Sequence, residues 1–204
     1  MPRAQRRSVA VLRPSTGAWV LHLSAQGLAS LARLLDEIGV AYALIGAHAV
    51  NVWLEPRFTA DVDLTGASTP QEMQRLRAGL LAAGFRIVRE HGAALPSGPD
   101  FVRFLARDDE LLLEVQAAKT SLQRELVERA VVSPSGLRVA TVEDLIVLKL
   151  IADRPKDQGD LDGLARLPGI DWRYVERCAL EWELEPRLRR LRAESAGAES
   201  AGRG

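Results

Sequence analysis

The sequence predicts an α/β (α+β) protein: a small mixed sheet flanked by helices, with a helical extension on its C-terminal side. Three observations carry this reading. Short apolar runs suited to strands, at 41–45, 85–89, 101–106 and 110–116, are separated by longer stretches in which Leu, Ile and Val recur at helical spacing. Turn and cap signals fall between them, among them Gly39, Gly46, Gly84 and Thr69-Pro70-Gln71-Glu72. The chain of 204 residues, 47% hydrophobic and 26% charged, is long enough for one good core plus a helical appendage.

Residues 1–23 are a basic lead-in, with an extended piece at 18–23. Ser24 is placed to cap a helix whose apolar residues Leu28, Leu31, Leu34, Leu35 and Ile38 share one face, and Gly39 ends it. A strand at 41–45 feeds a turn at Gly46. A helical segment, a turn at Glu55-Pro56-Arg57 and a second strand follow. Residues two apart on a strand point the same way, so Asp61 and Asp63 project together while Val62 and Leu64 enter the core.

Thr69 and Glu72 form the Thr-x-x-Glu pattern of a capping box, with Pro70 at the first helical position and Gly84 closing the helix. After the strand at 85–89, residues 91–99 read as a loop. The runs 101–106 and 110–116 read as antiparallel strands joined at Arg107-Asp108-Asp109. In the second of them Leu112, Glu114 and Gln116 share a face. An acid flanked by Leu113 and Val115 is costly to bury unless it is paired or binds a metal.

A helix is predicted over 119–130 and a hairpin or extended crossing over 131–140. Thr141, with Asp144 three residues on, caps a further helix whose core stripe is Val142, Leu145, Ile146, Lys149 and Leu150. A lysine in a core stripe lies along apolar surface and sends its ammonium to an opening at one end. Between 171 and 192 two more helices are expected, anchored by Trp172, Val175, Leu180, Trp182, Leu184 and Leu188. Arg187, Arg189, Arg190 and Arg192 cluster beside them, a solvated surface or an RNA contact. The doubled AESAG unit within 193–204 reads as a disordered tail. The divisions are therefore a core at 24–140 and a helical part at 141–192 that completes a cleft.

Composition narrows the function classes. Lys plus Arg (27) equals Asp plus Glu (27), so no global positive field would hold nucleic acid, and any such contact needs a local patch. One cysteine, Cys178, excludes an internal disulfide and suits a reducing cytosol. Arg13 and Pro14 interrupt the only candidate signal sequence, and no apolar run approaches the roughly 18 residues a membrane span requires. A cytoplasmic location with no membrane partner is expected. His22, His48 and His91 lack zinc-type spacing. His48, in the first turn after Gly46, either faces a ligand or is satisfied within the fold.

The order Gly46-Ala47, a gap, then Asp61-Val62-Asp63-Leu64 resembles the signature of the nucleotidyltransferase superfamily, whose fold is polymerase β-like. Arg57-x-Thr59-x-Asp61-x-Asp63, with Lys149 and Arg154-Pro155-Lys156-Asp157-x-x-Asp160 further on, resembles the AbiEii-like toxin nucleotidyltransferases in particular. The likeness covers about residues 24–165 in the right order. It implies two Mg²⁺ ions held by Asp61, Asp63 and Glu114, and a nucleoside triphosphate as co-substrate. Gly46, Ala47, Arg57, Thr59 and Lys149 would hold that nucleotide, Lys149 at its phosphates. Asp157 would support the site or act as a base, Arg154 and Lys156 would add positive charge at its mouth, and Asp160 would orient or cap the next helix. The implied reaction moves a nucleoside monophosphate to an acceptor hydroxyl, with tRNA favoured and a small molecule or a protein hydroxyl open. A cognate antitoxin protein is the implied partner. Ala47 departs from the Ser or Gly usual in the family, which removes a hydroxyl contact to phosphate. The alternative is a catalytically weak domain of this fold that acts as a binding or regulatory protein.

Overall fold

The computed structural model describes residues 25–106 and 111–201, and the predicted lead-in and its Ser24 cap lie outside them. A mixed seven-stranded sheet organises the chain, in the order β3-β4-β5-β2-β1-β7-β6. Its strands are β1 (Tyr42–Ile45), β2 (Asp61–Gly66), β3 (Arg86–His91), β4 (Phe101–Leu105), β5 (Leu112–Ala117), β6 (Val131–Val132) and β7 (Arg138–Val139). β1 and β2 are antiparallel, β2 and β5 parallel, and β4 antiparallel to both β5 and β3.

The helices are α1 (Ala25–Ile38), α2 (Gly46–Trp53), α3 (Pro70–Ala82), α4 (Ser121–Arg129), α5 (Val142–Ala152), α6 (Gln158–Ala165), α7 (Trp172–Glu181) and α8 (Glu185–Ala201), with a 3₁₀ turn at Pro155–Asp157 before α6. Local chemistry sets most of their ends. Gly39 adopts φ +67° and closes α1 with a bond from its N–H to Leu35 O. Thr69 and Glu72 close the expected capping box on α3, and Thr120 with Gln123 forms a second one on α4. Thr141 caps α5 by accepting from the Asp144 N–H.

The two faces of the sheet differ. Val62, Leu64, Val102, Phe104, Leu113 and Val115 are fully buried on one face, continuous with the core residues of α1, α3 and α4. The alternating residues Asp61, Asp63, Phe101, Arg103, Leu105, Leu112, Glu114 and Gln116 are only half-buried on the other face. The buried face supplies the hydrophobic stabilisation and leaves the second face free for polar groups. α5 is apolar on nearly every side, and it packs against α2, α6 and α7. No helix among the described residues is long and apolar enough to cross a membrane.

Four details differ from the sequence expectation. β3 runs to His91, because pairing with β4 carries it past the predicted end at 89. Leu180 points outward at 69% exposure, and Tyr174 and Cys178 anchor α7 in its place. α8 continues to Ala201 through the stretch read as a tail, in keeping with the helix propensity of its Ala and Glu residues. The arginine cluster is mostly engaged within the fold. Arg187 binds Asp153 and the carbonyls of Leu150 and Ile151 at the end of α5, Arg190 also meets Asp153, and Arg192 pairs with Glu176 and lies over Trp172. These bonds place the cluster at the seam of α5, α7 and α8.

Candidate active site

Register brings the three predicted carboxylates together. Asp63 on β2 lies directly opposite Glu114 on β5, and Asp61 stands two residues earlier on the same face. Adjacent strands are about 4.8 Å apart and residues two along a strand about 6.6 Å apart, so all three carboxyl groups occupy one small patch. Burial first, and then the neighbouring Glu114 and Asp61, push the Asp63 carboxyl up to about 7 against the opposing charges of Arg154 and Lys156. A carboxyl group so crowded by its neighbours is short of positive charge.

Gly46 makes this crowding possible. It opens α2 at φ +67°, and a Cβ added there would lie 2.9 Å from Asp63 Cγ and overlap the carboxylate. Only glycine lets the Asp63 side chain lie against the first turn of α2. Ile45 precedes that turn with no side-chain cap, so the leading N–H groups of α2 meet no capping side chain beside Gly46 and Ala47. Such an uncapped turn attracts anions.

His48 in the same turn has a buried Nε2 with no hydrogen-bond partner among the described residues. Burial lowers its pKa, and nearby Asp61 only partly restores it, so the ring is neutral at pH 7. That nitrogen is therefore left to a group other than the described residues.

Glu114 is not free. Arg103, directly opposite it on β4, forms an ion pair with its Oε1, although neither that oxygen nor Arg103 Nε completes a hydrogen bond among the described residues. Sequence reasoning passed over Arg103, but the signal was present. The expected antiparallel pairing of 101–106 with 110–116, whose turn at 107–109 lies outside the described residues, sets Arg103 opposite Glu114 just as it sets Phe101 opposite Gln116. With Glu114 held this way, no three carboxylate, His or Cys side chains among the described residues already converge as a metal cage. The donor set nevertheless fits a hard divalent cation: three carboxylates from adjacent strands, one with its pKa raised by burial and by the other two.

A second charged assembly stands beside the first. Lys149 Nζ, on α5, donates to Asp157 Oδ1 at 3.0 Å and Asp160 Oδ2 at 2.6 Å. Arg154 grips Asp157 at 2.6 and 3.1 Å, and Arg57 grips Asp160 at 3.0 and 2.7 Å. The result is an alternating row, Arg57, Asp160, Lys149, Asp157, Arg154. Burial pushes both carboxyl groups up, but their hydrogen bonds outweigh it and hold each below the ordinary Asp range.

This corrects two sequence expectations. The Lys149 ammonium does not reach an opening: its side chain is 7% exposed and is saturated by two carboxylates. Asp160 does not serve merely as a helix cap, because its carboxylate joins Lys149 to Arg57. The outward cations of the row are Arg57 at 46% and Arg154 at 54% side-chain exposure. Asn51 fixes the loop that carries Arg57 by bonds to both its N–H and its carbonyl. Thr59, two residues on, is half-buried ahead of Asp61. The site is an open wall of the sheet. The hollow beside Gly66 and Ala118 and the groove between α1 and α3 share no lining residue with it.

Comparison with known proteins agrees with this arrangement at the level of fold. No family model matches the sequence. No curated protein matches it either. Solved structures do match. A lincosamide antibiotic adenylyltransferase with lincomycin bound shares 15% identity, covering 71% of this chain and 98% of its own, with a TM-score of 0.52. An antigenic nucleotidyltransferase-like protein from Paracoccidioides brasiliensis matches at 16% identity, 82% and 90% coverage and a TM-score of 0.49. The antibiotic-resistance factor ANT(2'')-Ia matches at 16% identity, 89% and 99% coverage and a TM-score of 0.45. The fold is that of the nucleotidyltransferases.

Proposed function

We propose that the protein is a divalent-metal-dependent nucleotidyltransferase that moves a nucleoside monophosphate from a triphosphate to an acceptor hydroxyl. The observation that supports this best is the register of Asp61, Asp63 and Glu114 against the glycine that opens α2. Bound there, Mg²⁺ ions would neutralise the triphosphate and lower the pKa of the acceptor hydroxyl. Asp61, Asp63 and Glu114 are the side chains that would hold them.

The remaining roles belong to the chain. The uncapped first turn at Gly46 and Ala47 offers N–H donors to phosphate oxygens, backbone contacts that do not need the hydroxyl Ala47 lacks. Arg154 and Lys156 bring positive charge towards Asp63 from the 3₁₀ turn, on the side where a leaving pyrophosphate needs it. Lys149 acts as a positioning residue. It fixes Asp157 and Asp160, which in turn aim Arg154 and Arg57, and Asp157 supports the site in place of acting as a base. Thr59 enters through its place ahead of Asp61.

tRNA as acceptor and a toxin role with a cognate antitoxin are the finer form of this proposal, and they rest on the motif resemblance. A weak or inactive binding protein is the second reading, favoured by Ala47 and by the engagement of Glu114 with Arg103. Incubation with each labelled nucleoside triphosphate, Mg²⁺ and cellular RNA, protein or metabolite fractions separates them. Transfer that is lost in Asp61→Ala sustains the enzyme. No transfer to any fraction, with triphosphate binding retained, leaves the binding role.

A further inference from the structure

The open face of the sheet continues past the carboxylates to the β3 edge, and its side chains change sign on the way. Register gives one row across four strands: Asp63, Glu114, Arg103, Arg89. The next row along the strands is Thr65, Gln116, Phe101, His91, and on the other side Asp61, Leu112, Leu105, Arg86. Residues opposite one another share a face, so Arg86, Arg89 and Arg103 stand with the rings of Phe101 and His91 beside the carboxylate patch. Arg77 on α3 binds Glu90, which confirms that Glu90 faces the helix and that its neighbours Arg89 and His91 face away.

We propose that this basic and aromatic strip is the acceptor platform, and that it takes a single-stranded nucleic acid whose terminal hydroxyl reaches the carboxylates. The inference rests on the nucleotidyltransferase reading and deepens it. Each strand step is about 4.8 Å, so Arg89 lies about 10 Å beyond Glu114, farther than one sugar ring needs. Arg86 and Arg89 are exposed, and Arg89 makes no ion pair among the described residues. Arg103 lies 5.8 Å from the centroid of the Phe101 ring, so charge and ring surface are interleaved. Guanidinium groups that track phosphates, with rings on which bases stack, are the chemistry of strand binding without sequence preference. A small cationic acceptor would be repelled by the same arginines. With Lys plus Arg equal to Asp plus Glu over the chain, such a local patch is the only kind of surface that could hold a polyanion.

The test is fluorescence anisotropy with a short labelled single-stranded RNA, in EDTA, at ~50 and ~200 mM salt. Arg89→Glu is expected to weaken binding about tenfold at the lower salt and to flatten the salt slope by about 1. Phe101→Ala is expected to weaken binding about tenfold with the slope unchanged. Arg89→Glu keeps the parent's thermal shift with Mg²⁺ and a triphosphate. If the parent shows that thermal shift but no RNA affinity, or Arg89→Glu binds RNA like the parent, the platform is overturned while the transfer reading stands. Label delivered to a protein acceptor also overturns it. RNA binding that depends on Arg89, without any triphosphate effect, removes the transfer reading and overturns the acceptor role, leaving the strip as a nucleic-acid-binding surface.

Discussion

Replacing Asp63 by Asn should stabilise the metal-free protein above neutral pH. The Asp63 carboxyl is pushed up to about 7 from the ordinary 3.8, first by burial and then by Glu114 and Asp61. An acid whose pKa rises on folding is one the fold prefers protonated. The preference has no effect below about 3.8, where folded and unfolded chains both carry the proton. Between there and about 7 the unfolded chain gives up the proton first, so stability falls as pH rises, and above about 7 the loss is complete. At 1.36 kcal/mol per pH unit the full loss is about 4 kcal/mol, a large part of a typical domain stability of about 5–15 kcal/mol. Urea unfolding in EDTA should therefore show Asp63→Asn more stable than the parent by up to about 4 kcal/mol near pH 8, with the gap closing by about pH 4. Mg²⁺ should narrow the gap at pH 8 by stabilising the parent, since binding needs the deprotonated carboxyl. Parallel stability curves for parent and variant across this range would refute the crowding of the three carboxylates.

Three further substitutions test the rest of the site. Lys149→Met leaves Asp157 and Asp160 buried with one cation each and should lower stability by about 3 kcal/mol in thermal or urea unfolding. Gly46→Ala puts a Cβ against Asp63 at a positive φ, so it should destabilise by about 1–2 kcal/mol and erase the Mg²⁺-dependent shift in melting temperature. Arg103→Met removes the cation that competes for Glu114, and calorimetric titration should show divalent-ion affinity rising about tenfold, equivalent to about 1.4 kcal/mol. Unchanged affinity would mean that Glu114 contributes nothing to the ion site.

Much of the fold was legible because its signals are local. The Thr69 and Thr141 caps, the glycine stops and the alternation around Asp61 and Asp63 each act within a few residues, and each appears where those residues place it. The juxtaposition of Asp63 and Glu114 was readable only through the family likeness, because strand order β5-β2-β1 is a property of the whole sheet. Lys149 was misplaced for a related reason. Helical spacing showed that it enters the core, but not that Asp157 and Asp160 would fold back over it from the 3₁₀ turn and α6. Leu180 misled in the opposite way: an apolar residue carries no record of whether a partner element arrives to cover it.

The two charged assemblies explain how one small fold tolerates so many buried charges. The row from Arg57 to Arg154 is nearly self-sufficient, with each carboxylate held by two cations and each held below its ordinary pKa, so it can set geometry without a ligand. The Asp61, Asp63 and Glu114 patch is the opposite case. Among the described residues its one directly contacting cation is Arg103, and Asp63 is left with its pKa raised. A fold that satisfies five charges so completely on one side and leaves a carboxyl crowded on the other has its unmet electrostatic demand at one place. The hydrophobic face behind β2, β4 and β5 offsets that demand, and a divalent ion held there would meet it directly. Charge balance thus singles out the β2 and β5 wall as the candidate site for a cation, and the α5 and α6 row as the frame beside it.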